Sequence, residues 1–500
     1  MMNDENSYPG SASIASAIFP SVNRPSLPAV PICNYTMKTT CCRHFILFAI
    51  CSLACECCSM ARPPEYADML HPARVALTPT SAEARRALAR EILANKDMEE
   101  VANLGLGLFS DGFSSGGVYT NVWARDFGTL IETAIESRGA APVREAMLLF
   151  FHFQGADGSI PDSYQRGAAG PAGAGYWWSV PSLPGYRAHK ETCIPDQEAC
   201  LVYGFSQYVR ITGDTSVLKA QVNGESVLQR LERALEFVAK QRFDKTHGLV
   251  WGGTRMDWSD FQPETNQEGL DTCINPKTHP ALCAYDSATY IIALNEFLDI
   301  VPSNHPTRAK WEALRDTLKT NVMKWLWDSK RNKFRPHVYL DKGSPFPPDF
   351  DEDRIFVLVS TAKAMDAGLL SPERVRSCYR DMFNNKRIAG AETIGLINYP
   401  PYPKGYFLNG LMDPPFWYTN NTDWTWWGSY TVQALYRQGM IDEAWHELLP
   451  IVSRAKREKG FFEFHNIYTR VPRGAGTFRT AAGPTVRAIR LLQEWAKKNQ

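Results

Sequence analysis

From residue 81 onward the chain is a succession of helical segments joined by loops of very unequal length. Apolar residues recur at helical spacing in about a dozen segments. The predicted helices cover 81–95, 126–136, 143–153, 196–212, 226–241, 287–299, 306–327, 354–367, 372–383, 428–438, 441–455 and 482–497. Some connections are short, whereas 155–195 and 248–285 are long and rich in glycine, proline and tryptophan. A chain of this kind must fold mainly by packing helices on one another.

This alternation of helices and long loops predicts an all-α fold, an (α/α)6 toroid of helical hairpins with the long loops on one rim. Helical bundles and solenoids are the alternatives, but solenoids show a repeat of about 34 to 47 residues and mostly short loops. The sequence contains no such repeat. Loops longer than about 15 residues in a compact domain are usually functional. We therefore expect the functional residues in the long loops.

The first 61 residues differ from the rest of the chain. Seven of the 12 cysteines lie before residue 60, and Lys38 and Arg43 precede an apolar stretch at 45–54. This is the layout of a secretory signal, and the stretch is too short to span a bilayer comfortably. We predict a disordered leader at 1–61 with a signal segment at 37–61, and a secreted or periplasmic protein. A cysteine-bearing leader without a signal is the alternative, and Met37 is a candidate for the true start.

The remaining residues, 62–500, are predicted to form one (α/α)6 domain with no membrane span. Lys+Arg is 54 and Asp+Glu is 53, which argues against nucleic-acid binding because such binding needs an excess of positive charge. No nucleotide-binding loop, metal-binding histidine motif or Ser/His/Asp signature is present, so we predict no cofactor and no metal. Cys273 and Cys283 could form a disulfide, although two core thiols are the favoured interpretation.

The first cluster of interest lies where a loop meets an early helix. Trp123, Arg125 and Asp126 stand together there. Asp126 fits an N-cap, whose side chain accepts backbone hydrogen bonds at a helix start. It equally fits a sugar subsite, where tryptophan stacks on the ring and a carboxylate accepts hydroxyl protons.

The second cluster is the mid-chain segment 247–261, in which Trp251 and Trp258 lie close to Asp257 and Asp260. An aromatic wall excludes water and raises the pKa of a carboxyl group, as a general acid requires. A calcium-binding loop is the alternative, because closely spaced oxygen ligands suit that ion.

The third cluster is centred on Glu463, which has phenylalanine on both sides and is followed by a glycine-rich loop at 474–476. Burying an unpaired carboxylate is costly. Glu463 therefore either pairs with a nearby arginine or holds a catalytic proton. The arginines near it in the sequence are Arg470, Arg473 and Arg479.

Further polar and aromatic residues stand at other predicted helix starts, namely at 196–197, 285–286 and 423–428. A carboxylate in mid-chain and another near the C-terminus, both in loops on one rim, would face each other across a central pit. Two carboxylates flanking a glycosidic bond suffice for its hydrolysis, since one protonates the leaving oxygen and the other activates water.

In this order the segments resemble those of the six-hairpin glycosidases, most nearly trehalases, processing α-glucosidases and amylo-α-1,6-glucosidase-like bacterial proteins. The resemblance rests on Trp-x-Arg-Asp at 123–126, Gly-Gly-Thr-Arg-Met-Asp-Trp-Ser-Asp at 252–260, the segment 423–428, and Phe-Glu-Phe-His-Asn at 462–466. It spans about residues 100–490. The order of the motifs carries the similarity more than any single motif does.

The resemblance implies an inverting glycoside hydrolase that cleaves a small α-linked glucoside or oligosaccharide. It assigns the general acid to Asp257, with Asp260 as the competing candidate, and the general base to Glu463, although the residues after Glu463 depart from the family pattern. The implied substrate-binding residues are Trp123, Arg125, Asp126, Asp196, Trp251, Asp260, Tyr285, Asp286, Trp426 and Trp427. In an inverting enzyme the two carboxyl groups lie about 6.5–9.5 Å apart.

Two other functions remain open for such a toroid. A polysaccharide lyase or sugar epimerase would use basic and imidazole groups, and His189, Lys190 and His247 are available. His465, beside Glu463, suits an epimerase. A non-catalytic carbohydrate-binding toroid would keep the tryptophans and lack the acid or the base, whereas this chain has both carboxylates.

Overall fold

The computed structural model describes residues 81–167, 176–267 and 269–500, and the predicted leader and signal segment at 1–61 lie outside these residues. Thirteen α-helices occur in the described part. They are α1 Ala82–Ala94, α2 Lys96–Gly107, α3 Ala124–Arg138, α4 Ala140–His152, α5 Gln197–Thr212, α6 Val227–Gln241, α7 Ala284–Ile300, α8 Arg308–Trp325, α9 Leu358–Asp366, α10 Pro372–Ala389, α11 Thr425–Arg437, α12 Ile441–Glu458 and α13 Arg479–Lys498. Two short 3-10 helices lie at Thr215–Lys219 and Glu352–Arg354.

Six alternate helices form a closed inner ring. The helices α3, α5, α7, α9, α11 and α13 each pack on the next, and α13 packs back on α3. At this closure the Thr133 hydroxyl of α3 donates to the carbonyl of Gly483 in α13 at 2.8 Å. Gly483 is required there, because a Cβ would lie 2.6 Å from the Cβ of Leu130. The prediction of an (α/α)6 toroid is therefore confirmed.

The other helices form the outer layer. Each of α2, α4, α6, α8, α10 and α12 packs on its inner neighbours, and α1 lies against α13. Burial explains the division: 13 of the 17 residues of α7 are buried, against three of the 18 residues of α8. An inner helix must be apolar or internally paired on all sides, whereas an outer helix needs only one apolar stripe.

Sixteen short strands lie in the described loops, and all their pairings are antiparallel. They are β1 Val122–Trp123, β2 Ser163–Arg166, β3 Tyr176–Trp178, β4 Tyr186–Lys190, β5 Gln221–Val222, β6 Glu225–Ser226, β7 Phe243–Asp244, β8 Leu249–Gly253, β9 Pro280–Leu282, β10 Trp327–Asp328, β11 Lys333–Phe334, β12 Val338–Tyr339, β13 Phe356–Val357, β14 Asn398–Tyr399, β15 Phe464–His465 and β16 Pro472–Arg473. Two sheets have four strands, in the orders β1-β2-β4-β3 and β12-β9-β8-β7. The first sheet is formed mainly by the long loop between α4 and α5, and its strand β1 leads directly into α3.

The twelve predicted helices all exist, with shifted ends. The Ser81 hydroxyl accepts from the backbone of Ala84 and caps α1. Helix α2 is absent from the sequence prediction: Asn95 both ends α1 and caps α2, so the two helices follow without a loop. Helices α7, α11 and α13 each begin three residues earlier than predicted.

Two further expectations concern the absence of a membrane span and the state of Cys273 and Cys283. Within the described residues, none of the helices combines the length and the apolar character that crossing a bilayer requires. Cys273 and Cys283 are both free thiols, so the interpretation that favoured two unpaired cysteines is confirmed.

Candidate active site

The N-terminal ends of the inner helices meet at one rim of the toroid. Tyr285 in the first turn of α7 donates to Asp196, which immediately precedes α5, at 2.7 Å. The backbone N–H of Tyr285 donates to the Ser360 hydroxyl of α9 at 3.1 Å. Thr480 of α13 donates to Asp126 of α3 at 2.7 Å. The predicted site residues at these helix starts therefore surround one pit, whose floor receives the positive ends of several helix dipoles.

Arg125 links two carboxylates of this pit. Its guanidinium donates from Nε to Asp196 at 2.6 Å and from Nη2 to Asp260 at 2.8 Å. Burial would raise the pKa of Asp196, but the charge of Arg125 and its hydrogen bonds hold that pKa below its usual value. Asp260 differs, because burial raises its pKa despite the same arginine. The Asp260 side chain is 24% exposed, against 0% for Asp196, so Asp260 is the member that faces the pit.

Asp257 lies three residues before Asp260 and points elsewhere. Its Oδ2 accepts from the backbone N–H of Val359 at 2.8 Å. Its Oδ1 accepts from the backbone N–H and the hydroxyl of Ser360, at 3.0 and 2.6 Å. Burial raises the pKa of Asp257 to about 6 although these hydrogen bonds oppose the shift. Both carboxylate oxygens thus satisfy the first turn of α9.

Glu463 is buried on the opposite loop. Its Oε1 accepts from the Tyr119 hydroxyl at 2.9 Å, and its Oε2 accepts from the Ala475 backbone at 3.1 Å. Burial raises the pKa of Glu463 to about 7, against these two hydrogen bonds. No arginine of the described residues forms an ion pair with it, so of the two predicted alternatives the contacts favour a titratable carboxyl group.

Asp126 and Tyr418 lie between the two loops. Asp126 accepts from the hydroxyl of Ser115 at 2.6 Å as well as from Thr480, and no side-chain cap bond is made at the start of α3. Asp126 is therefore not the N-cap that one interpretation suggested. Its charge contributes to the raised pKa of Glu463. Burial raises the pKa of Tyr418 strongly, and so do the nearby charges of Glu463 and Asp260. The charges of Asp260 and Glu463 thus both act on the pKa of Tyr418, and the charge of Asp126 acts on the pKa of Glu463.

A second buried group lies near Asp260; its His189 was named in the sequence analysis, whereas its Asp162 and Glu191 were missed. The Nδ1 of His189 bonds Asp162 at 2.8 Å, and the backbone N–H of Glu191 donates to the same carboxylate at 3.1 Å. Burial raises the pKa of Glu191 well above its usual value, and the charge of Asp260 adds to this. Asp162, His189 and Glu191 offer polar atoms within 4.8 Å of one another, the only such trio in the described ranges. Because Asp162 already bonds His189, the trio is explained as a hydrogen-bonded cluster.

The calcium-loop alternative for 247–261 finds no support in the contacts. Asp257 binds the start of α9, whereas Asp260 binds Arg125. Glu264 accepts from the backbone of His279 at 3.0 Å. Since these oxygens have different partners, they do not converge on one point in the described structure.

The tryptophans predicted to bind substrate lie in three different surroundings. Trp426 and Trp427 stack on each other at 4.3 Å and are 2% and 1% exposed, and Trp258 packs against both. Their faces are therefore largely covered by one another. Trp123 is half-buried and sets its ring 6.3 Å from that of His189.

Trp251 packs elsewhere, under the guanidinium of Arg242 at 4.7 Å. Beneath the pit, Arg255 pairs with Asp286 of α7, and both side chains are almost fully buried. Trp251 thus has Arg242 as its stacking partner, and Asp286 lies in the layer that supports the pit.

The lyase and epimerase candidates have structural partners. Lys190 donates to Glu198 at 2.9 Å and to the carbonyl of Ile160 at 2.6 Å. His247 bonds Asp244 at 2.7 Å, and His465 bonds Glu458 at 2.9 Å. A tyrosine base needs a lowered pKa, whereas burial raises that of Tyr119. These contacts favour neither reaction.

Two residues beside the carboxylates escaped sequence analysis. Tyr119 and Tyr418 stand in loops without any motif, and only the closing of the ring brings them to Glu463. Gly474 is a comparable case. It has φ +70°, and a Cβ there would overlap the Glu463 carboxylate, so only glycine fits. The glycine-rich stretch 474–476 was the one available signal.

No protein-family model and no curated protein matches the chain. Several solved structures do match the chain. The rhamnosidase from Klebsiella oxytoca with rhamnose bound is 15% identical, with TM-score 0.51, over 80% of this chain and 64% of that one. The GH63 mannosylglycerate hydrolase from Thermus thermophilus, in complex with glucose, is 14% identical, with TM-score 0.52, over 78% of this chain and 99% of that one. The GH78 rhamnosidase of Bacillus sp. GL1 is 12% identical, with TM-score 0.50, over 79% of this chain and 34% of that one.

These likenesses concern the fold, because the identities are low. The chain spans just under two thirds of the length of the Klebsiella rhamnosidase and almost all of the mannosylglycerate hydrolase. The (α/α)6 toroid described above is thus an architecture that glycoside hydrolases use.

Proposed function

We propose that the protein is an inverting glycoside hydrolase acting on a small α-linked glucoside or oligosaccharide. The observation that carries this proposal is the pair formed by Asp260 and Glu463. They stand on two different loops at one rim, Arg125 bonds the first and Tyr119 the second, and burial raises the pKa of both. A rhamnosidase and a mannosylglycerate hydrolase with similar folds support a glycoside as the substrate class.

In the proposed reaction Asp260 protonates the glycosidic oxygen as the bond to the anomeric carbon breaks. Glu463 accepts a proton from a water that attacks this carbon from the opposite face. The product is a hemiacetal of inverted configuration, with Asp260 ionised and Glu463 protonated. Arg125, at 2.8 Å from Asp260, would stabilise the new carboxylate. Proton exchange with solvent restores both groups.

The contacts favour Asp260 over Asp257 as the acid. A general acid must place its proton within hydrogen-bond reach of the leaving oxygen. The Asp257 oxygens accept from Val359 and Ser360 and face a helix N-terminus, which stabilises an anion. Asp260 has one guanidinium contact and the greater exposure. The resemblance to trehalases and processing glucosidases assigns this role to Asp257, so both residues are tested below.

The test is to incubate the full chain with α- and β-linked disaccharides and short oligosaccharides and to follow the anomeric protons by NMR. Glu463→Gln removes the base at constant size. Glu373→Gln, at an exposed position on α10, is the matched control. We expect the inverted anomer from wild type and from Glu373→Gln, and no turnover by Glu463→Gln.

Each other result would contradict the proposal in a different way. The retained anomer would exclude an inverting pair. An unsaturated product would identify a lyase. Binding without turnover by the wild-type chain would identify a non-catalytic carbohydrate-binding toroid.

A further inference from the structure

Arg187 of β4 is held in one plane by two neighbours. Its guanidinium carbon lies 4.2 Å from the ring centroid of Trp177 on β3. Gln165, its register partner on β2, is only 7% exposed. With the Gln165 amide oriented to satisfy its surroundings, Oε1 accepts from Arg187 Nε at 2.8 Å and the nitrogen donates to Asn121 at 2.6 Å. A guanidinium stacked on one face and bonded at one edge is preorganised, since little rotamer freedom remains to be lost on binding.

This guanidinium lacks an acidic partner. Among the residues that the structure describes, no carboxylate lies within ion-pair distance of Arg187, whereas Arg125 and Arg255 have one or two each. Arg187 is half-buried, so its charge is only partly screened by water. Within the described residues its outer edge therefore has no acidic partner, and this edge is the one that an anion would bind.

Arg187 lies near the proposed base. The Gln165 amide nitrogen also donates to Thr120 at 2.5 Å. Thr120 directly follows Tyr119, whose hydroxyl donates to Glu463. Hydrogen bonds thus connect Arg187 through Gln165 to Thr120, the chain neighbour of the tyrosine that bonds Glu463.

Arg473 offers a second guanidinium of the same kind. It pairs in register with Phe464, the residue after Glu463, and lies 5.5 Å over the ring of Trp417. No ion pair joins it to a carboxylate in the described residues. Arg473 thus lies exposed on the strand that pairs with the loop carrying Glu463.

The charge of the pit itself shows where an anionic group would bind. Its floor holds Asp126, Asp196, Asp260, Glu191 and Glu463, and Arg125 is already paired. A carboxylate on the cleaved sugar would be repelled there. Arg187 stands four residues from Glu191 along an extended strand, roughly 13 Å away at about 3.3 Å per residue. An anion on a more distant part of the substrate reaches Arg187 without meeting the acidic floor.

We infer that the substrate is an anionic glycoside, with a carboxylate outside the cleaved sugar that binds the outer edge of the Arg187 guanidinium. Arg473 supplies long-range attraction from the facing loop. This inference rests on the proposed glycosidase function and adds the class of substrate to it. A carboxylate matches a guanidinium edge through two parallel hydrogen bonds.

The test compares two substrates that differ by one charge: a glycoside found active in the anomer screen, carrying a carboxylate on its leaving group, and the methyl amide of that compound. Arg187→Met keeps an apolar stem on Trp177 and removes the charge. Arg166→Met is the matched control, because Arg166 lies on the adjacent strand and its guanidinium stacks on Tyr186 instead. We expect wild type and Arg166→Met to prefer the carboxylate by about tenfold in kcat/KM, mainly through KM.

Arg187→Met should lose that preference and cleave the amide within about twofold of wild type. Equal losses on both substrates would show a merely structural role for Arg187 and would overturn the inference. So would a wild-type enzyme that cleaves both substrates equally well.

A binding experiment without turnover distinguishes a failure of the anion site from a failure of the proposed glycosidase function. Glucuronate and glucose differ only at C6, and their association with the full chain can be compared by NMR line broadening. Selective binding of glucuronate that Arg187→Met abolishes would support the anion site even if no glycoside were cleaved. Equal binding of both sugars, together with cleavage of neutral glycosides, would overturn the anion site and leave the glycosidase standing.

Discussion

The mid-chain loop and the C-terminal loop hold their pit-facing carboxylates by different means. Asp260 has a permanent counter-charge, since Arg125 donates to it at 2.8 Å. Glu463 has neutral donors instead, the hydroxyls of Tyr119 and Tyr418 and the backbone N–H of Ala475. Burial raises the pKa of both groups. The comparison shows that at Glu463 desolvation is opposed only by neutral hydrogen-bond donors, whereas at Asp260 it is opposed by a fixed positive charge.

The mid-chain loop also contains its own contrast. Asp257 and Asp260 are three residues apart, yet the first caps α9 and the second faces the pit. Asp257 has φ +50°, an unusual value for a residue other than glycine, and the turn at this point sends the two side chains apart. A carboxylate in a motif can thus hold the scaffold while its neighbour contacts the substrate.

The largest expected effect separates these two aspartates. Asp260→Asn should reduce kcat/KM by about 10³-fold or more, because general acid catalysis contributes about 10²–10⁴-fold. Asp257→Asn should keep activity within about tenfold, since its oxygens serve α9. Steady-state kinetics of both variants on one substrate shows which aspartate is the general acid. A greater loss in Asp257→Asn at wild-type stability would return the acid role to Asp257.

The next effect concerns the C-terminal loop. Gly474→Ala adds a Cβ at φ +70° that would overlap the Glu463 carboxylate, so Glu463 must move. We expect kcat/KM to fall by about 100-fold, the cost of a small misplacement of a catalytic group. Gly476→Ala is the matched control, because a Cβ there meets only the edge of the Phe462 ring at 3.1 Å. Equal kinetics in the two variants would show that Glu463 does not act in the reaction.

A third effect is on stability. Asp257→Asn replaces one acceptor oxygen by an amide nitrogen facing the N–H groups of Val359 and Ser360. The free energy of unfolding should fall by about 2 kcal/mol, as for loss of a cap that leaves a buried donor unsatisfied. Asp260→Asn should lower it by less than Asp257→Asn does, because Arg125 keeps its ion pair with Asp196. Denaturant unfolding at about pH 8 measures both. The reverse order would show that Asp257 is not a structural cap.

Much of the fold could be predicted from the sequence, because helical periodicity and loop length directly report the alternation of inner and outer helices. The errors have local causes. Helix α2 was missed because Asn95 ends one helix and begins the next without a loop. The start of α11 was placed too late because Thr425–Trp427, which precede the predicted start, were assigned to a loop.

The site could be predicted only as a set of loops. Residue type and motif order predicted that Arg125, Asp260 and Glu463 lie on one rim. The direction of the Asp257 side chain depends on a single backbone turn, which no periodicity reports. Tyr119 and Glu191 carry no motif, and their roles arise from ring closure and from the pairing of β2 with β4.

The smallest expected effect tests how the C-terminal loop tunes its carboxylate. The Tyr119 hydroxyl donates to Glu463 and opposes the upward shift of its pKa, which burial brings to about 7. Tyr119→Phe removes this donor, so the pKa of Glu463 should rise further. A base is inactive when protonated, so kcat/KM is lost as the pH falls through the pKa of the base. The acidic limb of the pH profile should therefore move to higher pH, with kcat/KM roughly threefold lower near pH 6 and unchanged well above the limb.

The limb that moves also identifies the role of Glu463. If Glu463 were the general acid, activity would be lost as the pH rises through its pKa, and Tyr119→Phe would shift the alkaline limb upward instead. Tyr468→Phe is the matched control, because Tyr468 is 66% exposed in the C-terminal loop and contacts Phe416. A profile from about pH 5 to 9 that moves on its acidic side in Tyr119→Phe alone would assign the base to Glu463. A movement on the alkaline side would exchange the roles of the two loops, with Asp260 becoming the base.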